Sequence, residues 1–209
     1  MLSMKDDGTL KKEICTIAAI IYEKGFVVAT DGNVSARTAD NCILITPSGQ
    51  RAVTVEDIVK LDLDGTILGC KQNPSSEYRM HIEVYRRRTD VQGIIHTHPP
   101  YATAFAVAGI PLEPIIAEAV FANGKIPITP YATPSTEEVP KSISELIKNH
   151  GALLLAHHGL LTVGKDLLDA LNRTERVEFL AHVSFLAKML GNAVPLSPER
   201  IEKLMKLQK

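Results

Sequence analysis

Short apolar runs joined by turns too tight for a crossover are what most restrict the fold of this chain. Asn33 to Thr38 and Cys42 to Thr46 read as a hairpin-like pair joined through Asp40-Asn41, and Ile58 to Leu63 turns at Asp64-Gly65. Parallel neighbours need a connection of about a dozen residues or more, so these strands pair antiparallel. Helical patterns interleave with them. Leu10 to Lys24 places Ile14, Ile17, Ala18 and Ile21 at helical spacing, with Asp6 or Asp7 as cap and Gly25 as stop. Ser76 to Arg88 carries Tyr78, Ile82 and Tyr85 on one side of a helix, and Val91 to His96 reads as the strand that follows. Thr136 to Asn149 reads as helical, Ala152 to Ala156 and Leu160 to Val163 as strands, and Asp166 to Leu190 as a long helix, with a short last helix after Pro195 and Pro198. Ile110 to Pro134 holds five prolines, so it is expected to be the least regular part and suited to substrate-facing loops. The whole reads as a mixed sheet flanked by helices rather than a pure parallel βαβ sheet.

At 209 residues the chain suits one domain, 1–209, and no repeat or long linker divides it. With 23 Lys and Arg against 24 Asp and Glu the net charge is −1. No global field therefore argues for nucleic acid or an anionic membrane, and small-molecule partners are favoured. Cys15, Cys42 and Cys70 are odd in number, far apart and in no C-x-x-C arrangement, which reads as reduced thiols serving as small apolar fillers. Charges within Met1 to Gly8 leave no apolar run for a signal peptide, and no stretch approaches the ~20 apolar residues of a membrane span. The expected location is cytoplasmic.

The chemistry gathers at histidines. His96-Thr97-His98 ends the Val91 to His96 strand just before Pro99-Pro100. Side chains two apart on a strand leave the same face, with roughly 6 to 7 Å between Cα atoms, so both rings can reach one ion. Glu77 and His158 complete a three-histidine, one-carboxylate set suited to zinc. Because a carboxylate is exchangeable, Glu77 can leave when a substrate brings chelating oxygens and then accept a proton. His81, four residues after Glu77, rivals it for a ligand position and reads equally as a buried histidine bonded to the helix or to Glu77. Alternation along a strand would send His157 and His158 to opposite sides, so one of them binds, and the residues alone leave open which. His150 and His182 read as packing or surface residues.

Three pieces are rich in groups that hold phosphate: Gly32-Asn33-Val34-Ser35, Thr46-Pro47-Ser48-Gly49 and Ser75-Ser76. Glycine permits close backbone approach, hydroxyls donate, and Ser75-Ser76 at a helix start adds unpaired amides. The same pieces also read as two turns and a helix cap. What favours an anion is position, since Ser76 directly precedes Glu77 and sets a phosphate beside the metal. Neither a Walker A loop nor a Rossmann fingerprint is present. Arg86-Arg87-Arg88 reads as positive charge complementing a helix C-terminus.

In order, Gly32-Asn33-Val34-Ser35, Ile45-Thr46-Pro47-Ser48-Gly49, Pro74-Ser75-Ser76-Glu77, His96-Thr97-His98, Pro130-Tyr131-Ala132-Thr133 and His157-His158-Gly159 resemble the class II aldolase/adducin family over nearly the whole chain. The resemblance implies an α/β/α layered fold with a central, mainly antiparallel sheet, assembled as a homotetramer with sites between subunits. It implies a zinc enzyme, one ion per subunit, that cleaves a ketose 1-phosphate into dihydroxyacetone phosphate and an aldehyde. By motif position, His96, His98 and His158 would be the metal ligands, the last because it immediately precedes the glycine. Glu77 would ligate the resting metal and move the proton, while Gly32, Asn33, Ser48, Gly49, Ser75 and Ser76 would hold the phosphate. Zinc chelated by the ketone and adjacent hydroxyl oxygens would stabilise the enediolate left by carbon–carbon cleavage, without a Schiff-base lysine.

Two departures bear on the substrate. One aldolase of the family brings a tyrosine from a neighbouring subunit to the aldehyde side, whereas this chain reads Ile115-Ile116-Ala117-Glu118-Ala119 there, so Glu118 is the nearest acid–base candidate, with a solvated or packing glutamate as the alternative. The segment up to Lys209 also lacks the tail tyrosine of that relative. Related methylthioribulose-phosphate dehydratases, ribulose-phosphate 4-epimerases, sugar-acid-phosphate decarboxylases and the non-catalytic adducin head are the alternatives. Glu77 after Ser75-Ser76, with all three histidines retained, favours the aldolase.

Overall fold

Ile43-Leu44-Ile45 is apolar on both faces, a pattern that suits a strand covered from both sides. The computed structural model, which describes residues 5–69, 72–122, 124–191 and 194–207, puts it inside such a sheet. Strands β1 (Asn33–Arg37), β2 (Ile43–Ile45), β3 (Val59–Leu61), β4 (Gly93–Thr97), β5 (Ala152–Leu155) and β6 (Gly159–Gly164) lie in the order β3-β2-β1-β4-β6-β5. All five neighbouring pairs are antiparallel. One parallel bridge, Ile128 to Leu154, adds to the β5 edge.

Seven helices accompany the sheet among the described residues: α1 (Asp7–Glu23), α2 (Tyr78–Arg87), α3 (Pro100–Ala108), α4 (Ala117–Ala122), α5 (Glu138–Ile143), α6 (Leu167–Met189) and α7 (Pro198–Lys206). Alternation along the strands divides the core into layers. Ile43, Ile45, Ile94, Leu153 and Leu161 pack under α2 and α5 with Met80, Tyr85, Val139 and Ile143. Leu44 and Ile95 turn the other way, onto Ile14 and Ile21 of α1 and Leu171 of α6. Leu154 and Leu160 meet Ala102 and Phe105 of α3 and Val177 and Leu180 of α6. Helices therefore cover both faces of the sheet, the α/β/α arrangement expected. None of the described helices is long and apolar enough to cross a membrane.

Three stretches differ from the sequence reading. Pro100–Ala108, to which the sequence reading assigns no element after the two prolines that end a strand, is a helix: Pro100 occupies its first position, where a fixed φ and a missing N–H cost nothing, and Gly109 closes it at φ 70°. Within the proline-rich Ile110 to Pro134 segment, Ala117–Ala122 forms a short helix. The helix expected over 136–149 breaks into α5 and a 3-10 turn, Leu146–Lys148. Ser142 and Ser144 hydroxyls bond back to the Val139 and Lys141 carbonyls at 2.9 Å there, competing with the helical ladder. Cys15 and Cys42 are free and partly buried, and Cys70 lies outside the described residues.

Candidate metal centre and anion pocket

The β4 strand carries His96 and delivers His98 one residue beyond its end, and the β5–β6 turn brings His158 to the same place. His157, expected on an alternating strand, instead sits in that turn with φ 54°, its ring exposed. This twist leaves His158 with the other two. One ligand atom from each of His96, His98 and His158 lies within 4.8 Å of the others, and the Nε2 atoms of His96 and His98 are 3.0 Å apart. Ring centroids stand 4.7 to 5.1 Å apart. His96 donates from Nδ1 to the Leu160 carbonyl at 3.0 Å, which leaves Nε2 free for a ligand. Gly159 makes room: a Cβ there would lie 2.5 Å from both His98 Cδ2 and the Thr97 carbonyl oxygen.

Electrostatics keeps the three rings neutral. Burial, then the His158 and His98 rings, hold His96 well below its ordinary pKa. Burial also lowers His98 and His158, against an upward pull from Asp31 on both and from Glu77 on His158. Neutral, convergent imidazoles are the donor set a zinc-type cation requires. The residues present fit such an ion.

All ten of the metal and phosphate residues singled out in the sequence line one cavity of about 280 Å³. Two loops are zipped together to build its polar wall. Pro47 and Pro74 form an antiparallel bridge, the Ser48 N–H donates to the Asn73 carbonyl and the Ser75 N–H to the Thr46 carbonyl, both at 3.0 Å. Ser48 and Gly49 thus stand beside Ser75 and Ser76, at the N-terminus of the ten-residue helix α2. The dipole of that helix end favours an anion. Gly32, at φ 78°, closes the third side, where a Cβ would lie 2.3 Å from Val27 Cγ1.

Glu77 is buried and lies outside the histidine group. Its Oε1 accepts from the Ser135 N–H at 2.5 Å and the Ser135 hydroxyl at 3.0 Å. Its Oε2 is buried with no hydrogen-bond partner among the described residues. A bare carboxylate oxygen beside three neutral imidazoles is poised to meet a cation or a proton.

Other expectations are placed elsewhere. His81 is not in the histidine group but fully buried beneath the cavity, bonded to Ser35 and Asn33 rather than to the helix or Glu77. Glu118 is exposed on α4 and does not line the cavity of its own chain. Arg86, Arg87 and Arg88 pair with Asp64, Glu83 and Asp90. His150 bonds the Leu146 carbonyl, and His182 stacks on Tyr101 at 3.9 Å. Sequence reasoning missed Asp31 and Ser135 on the cavity wall. Ser135 had a faint signal, since it follows the Pro130 to Thr133 motif by two residues.

The class II aldolase and adducin N-terminal domain family matches residues 12–185. Over 180 residues the chain is 34% identical to the L-fuculose phosphate aldolase of Methanococcus maripaludis, covering 85% of this chain and 97% of that protein. Over 199 residues it is 31% identical to the 5-deoxy-D-ribulose 1-phosphate aldolase of Bacillus thuringiensis serovar kurstaki, covering 94% and 93%. A solved L-fuculose 1-phosphate aldolase superposes with a TM-score of 0.92 at 31% identity, across 100% of both chains.

Proposed function

The chain belongs to the class II aldolase and adducin family, and from that premise we propose that it is a metal-dependent aldolase cleaving a ketose 1-phosphate, of the L-fuculose 1-phosphate type, into dihydroxyacetone phosphate and an aldehyde. The observation that carries the reading is the meeting of three neutral imidazoles, a half-bonded carboxylate and two serine-bearing loops on one cavity wall. His96, His98 and His158 would hold the ion, zinc on the nature of the donors, with Glu77 as its exchangeable fourth ligand. When bound, the ion supplies Lewis acidity toward the ketone and neighbouring hydroxyl oxygens.

The protein's own residues do the rest. Gly32, Asn33, Ser48, Gly49, Ser75 and Ser76 would grip the phosphate and orient the sugar. Glu77, fixed through Oε1, would use Oε2 to hold the proton and return it to the carbanion carbon after the aldehyde leaves. Glu118 of the partner subunit would serve the aldehyde side in a cytoplasmic homotetramer. Phe179, Phe185 and Met189 are exposed on α6, as an assembly surface requires.

Retro-aldol assays on a panel of ketose 1-phosphates, including those of L-fuculose and 5-deoxyribulose, with dihydroxyacetone phosphate detected and with and without chelator, test the proposal. Chelator-sensitive release from at least one substrate is expected. Conversion without dihydroxyacetone phosphate would point to the dehydratase, epimerase or decarboxylase chemistry of the family. No turnover and no stoichiometric metal would leave a scaffold. Glu77→Gln should cut turnover by at least about 10²-fold, a typical share for a positioned acid–base group, and parental turnover in that variant removes Glu77 from the mechanism.

A further inference from the structure

His81 is completely buried and has no part in the chemistry above, yet it joins a chain of hydrogen bonds running from a phenol to the cavity wall. Tyr85 Oη lies 3.0 Å from Ser35 Oγ, Ser35 Oγ lies 2.6 Å from His81 Nδ1, and His81 Nε2 lies 2.5 Å from Asn33 Oδ1. The far end decides the polarity. Tyr85 is buried and protonated, and among the described residues its hydroxyl has Ser35 Oγ as its hydrogen-bond partner. The phenol donates there, so the Ser35 proton passes to His81 Nδ1. A neutral imidazole carries one N–H, which must then be at Nε2 and donate to the Asn33 oxygen. Reversing the chain would strand the Tyr85 proton in the core.

We propose that His81 is a positioning residue for anion recognition: the Tyr85–Ser35–His81 relay pins the carboxamide oxygen of Asn33 inside the protein and presents its NH2 to the cavity as a fixed donor for a phosphate oxygen. The inference deepens the phosphate-pocket reading and rests on it. Asn33 lines the cavity, and its amide nitrogen has no hydrogen-bond partner among the described residues. A carboxamide free to flip would also offer its oxygen to the dianion, so the orientation of that group has to be set by its surroundings. Burial lowers His81 to a pKa of about 3, so the ring keeps its single proton near neutral pH.

The test titrates inorganic phosphate into the purified full chain by calorimetry and reads the His81 tautomer from its ring nitrogen resonances. Expected are phosphate uptake and an Nε2–H tautomer in the wild type, with affinity about fivefold weaker in His81→Phe and about threefold weaker in Tyr85→Phe, the scale of one hydrogen bond. His81→Gln, whose amide can donate to the same oxygen, should recover most of the affinity, which a merely structural role for the ring would not produce. An Nδ1–H tautomer, or wild-type phosphate affinity in folded Tyr85→Phe, overturns the relay. The tautomer and Tyr85→Phe decide alone if His81→Phe does not fold. A wild type that takes up no phosphate overturns the pocket itself, an outcome distinct from a relay that fails while phosphate still binds.

Discussion

Ser135 accepts an uncomfortable backbone, φ 64°, so that its N–H and hydroxyl both reach one oxygen of Glu77. Replacing it by glycine removes the strain and the hydroxyl together. Ser135→Gly should melt within a few degrees of the parent, because relief of strain and gain of unfolded-state freedom oppose each other. Turnover should fall by about tenfold, the equivalent of ~1.4 kcal/mol for one hydrogen bond to a charged group. Steady-state kinetics beside a melting curve separates the two, and unchanged turnover would mean the backbone N–H alone suffices to hold Glu77. His96, His98 and the serine-glycine pieces were legible because their spacing already encodes a shared face or a helix start, whereas the residues alone left His157 and His158 undecided. Ser135 was not, for it meets Glu77 across 58 residues and through a loop with no period to read. His81 was half legible: burial could be anticipated, but its partners Ser35 and Asn33 come from a strand that only tertiary packing brings near.

Helix α3 shows why an element can hide in a sequence. Its alanine-rich stretch has little amphipathic contrast, and its cap is not local. Glu178, buried on α6, accepts from the Tyr101 N–H at 3.0 Å and the Ala102 N–H at 2.8 Å, across 77 and 76 residues. Hairpins such as β1–β2, with their turn residues adjacent, could be read directly, whereas this helix start could not. Glu178→Ala should therefore cost roughly 1.5–3 kcal/mol, as expected for hydrogen bonds to a buried charge, or about 3–12 °C for a chain of this size. Because α3 begins two residues after His98, metal affinity should fall as well. Thermal melts with and without chelator measure both effects, and a loss confined to stability would detach the cap from the metal site.

For the molecule as a whole, the neutral histidines tie stability to acidity. His81 has a folded pKa of about 3 against an ordinary 6.5, so between those values the unfolded chain binds a proton that the folded one refuses. Stability contributed by the neutral ring is complete above about pH 6.5 and shrinks as pH falls, by about 1.4 kcal/mol per unit, hence about 2 kcal/mol by pH 5. His96, His98 and His158 push the same way in metal-free protein. Urea midpoints in chelator at pH 7 and pH 5 should differ accordingly, and equal midpoints would refute a neutral core. Zinc added at about a thousand times its dissociation constant should contribute about 4 kcal/mol at pH 7, read as a melting shift that chelator reverses. The sheet's register adds a constraint of another kind. Asn33 and His96 face each other as partners across β1 and β4, so one rung of the sheet sets the spacing between the Asn33 carboxamide and the histidine triad, while loops carry Ser48, Gly49, Ser75 and Ser76. That rung acts as a ruler. Moving Asn33 along that ruler would require β1 to slip against β4, and a slip of one residue would turn its side chain to the opposite face.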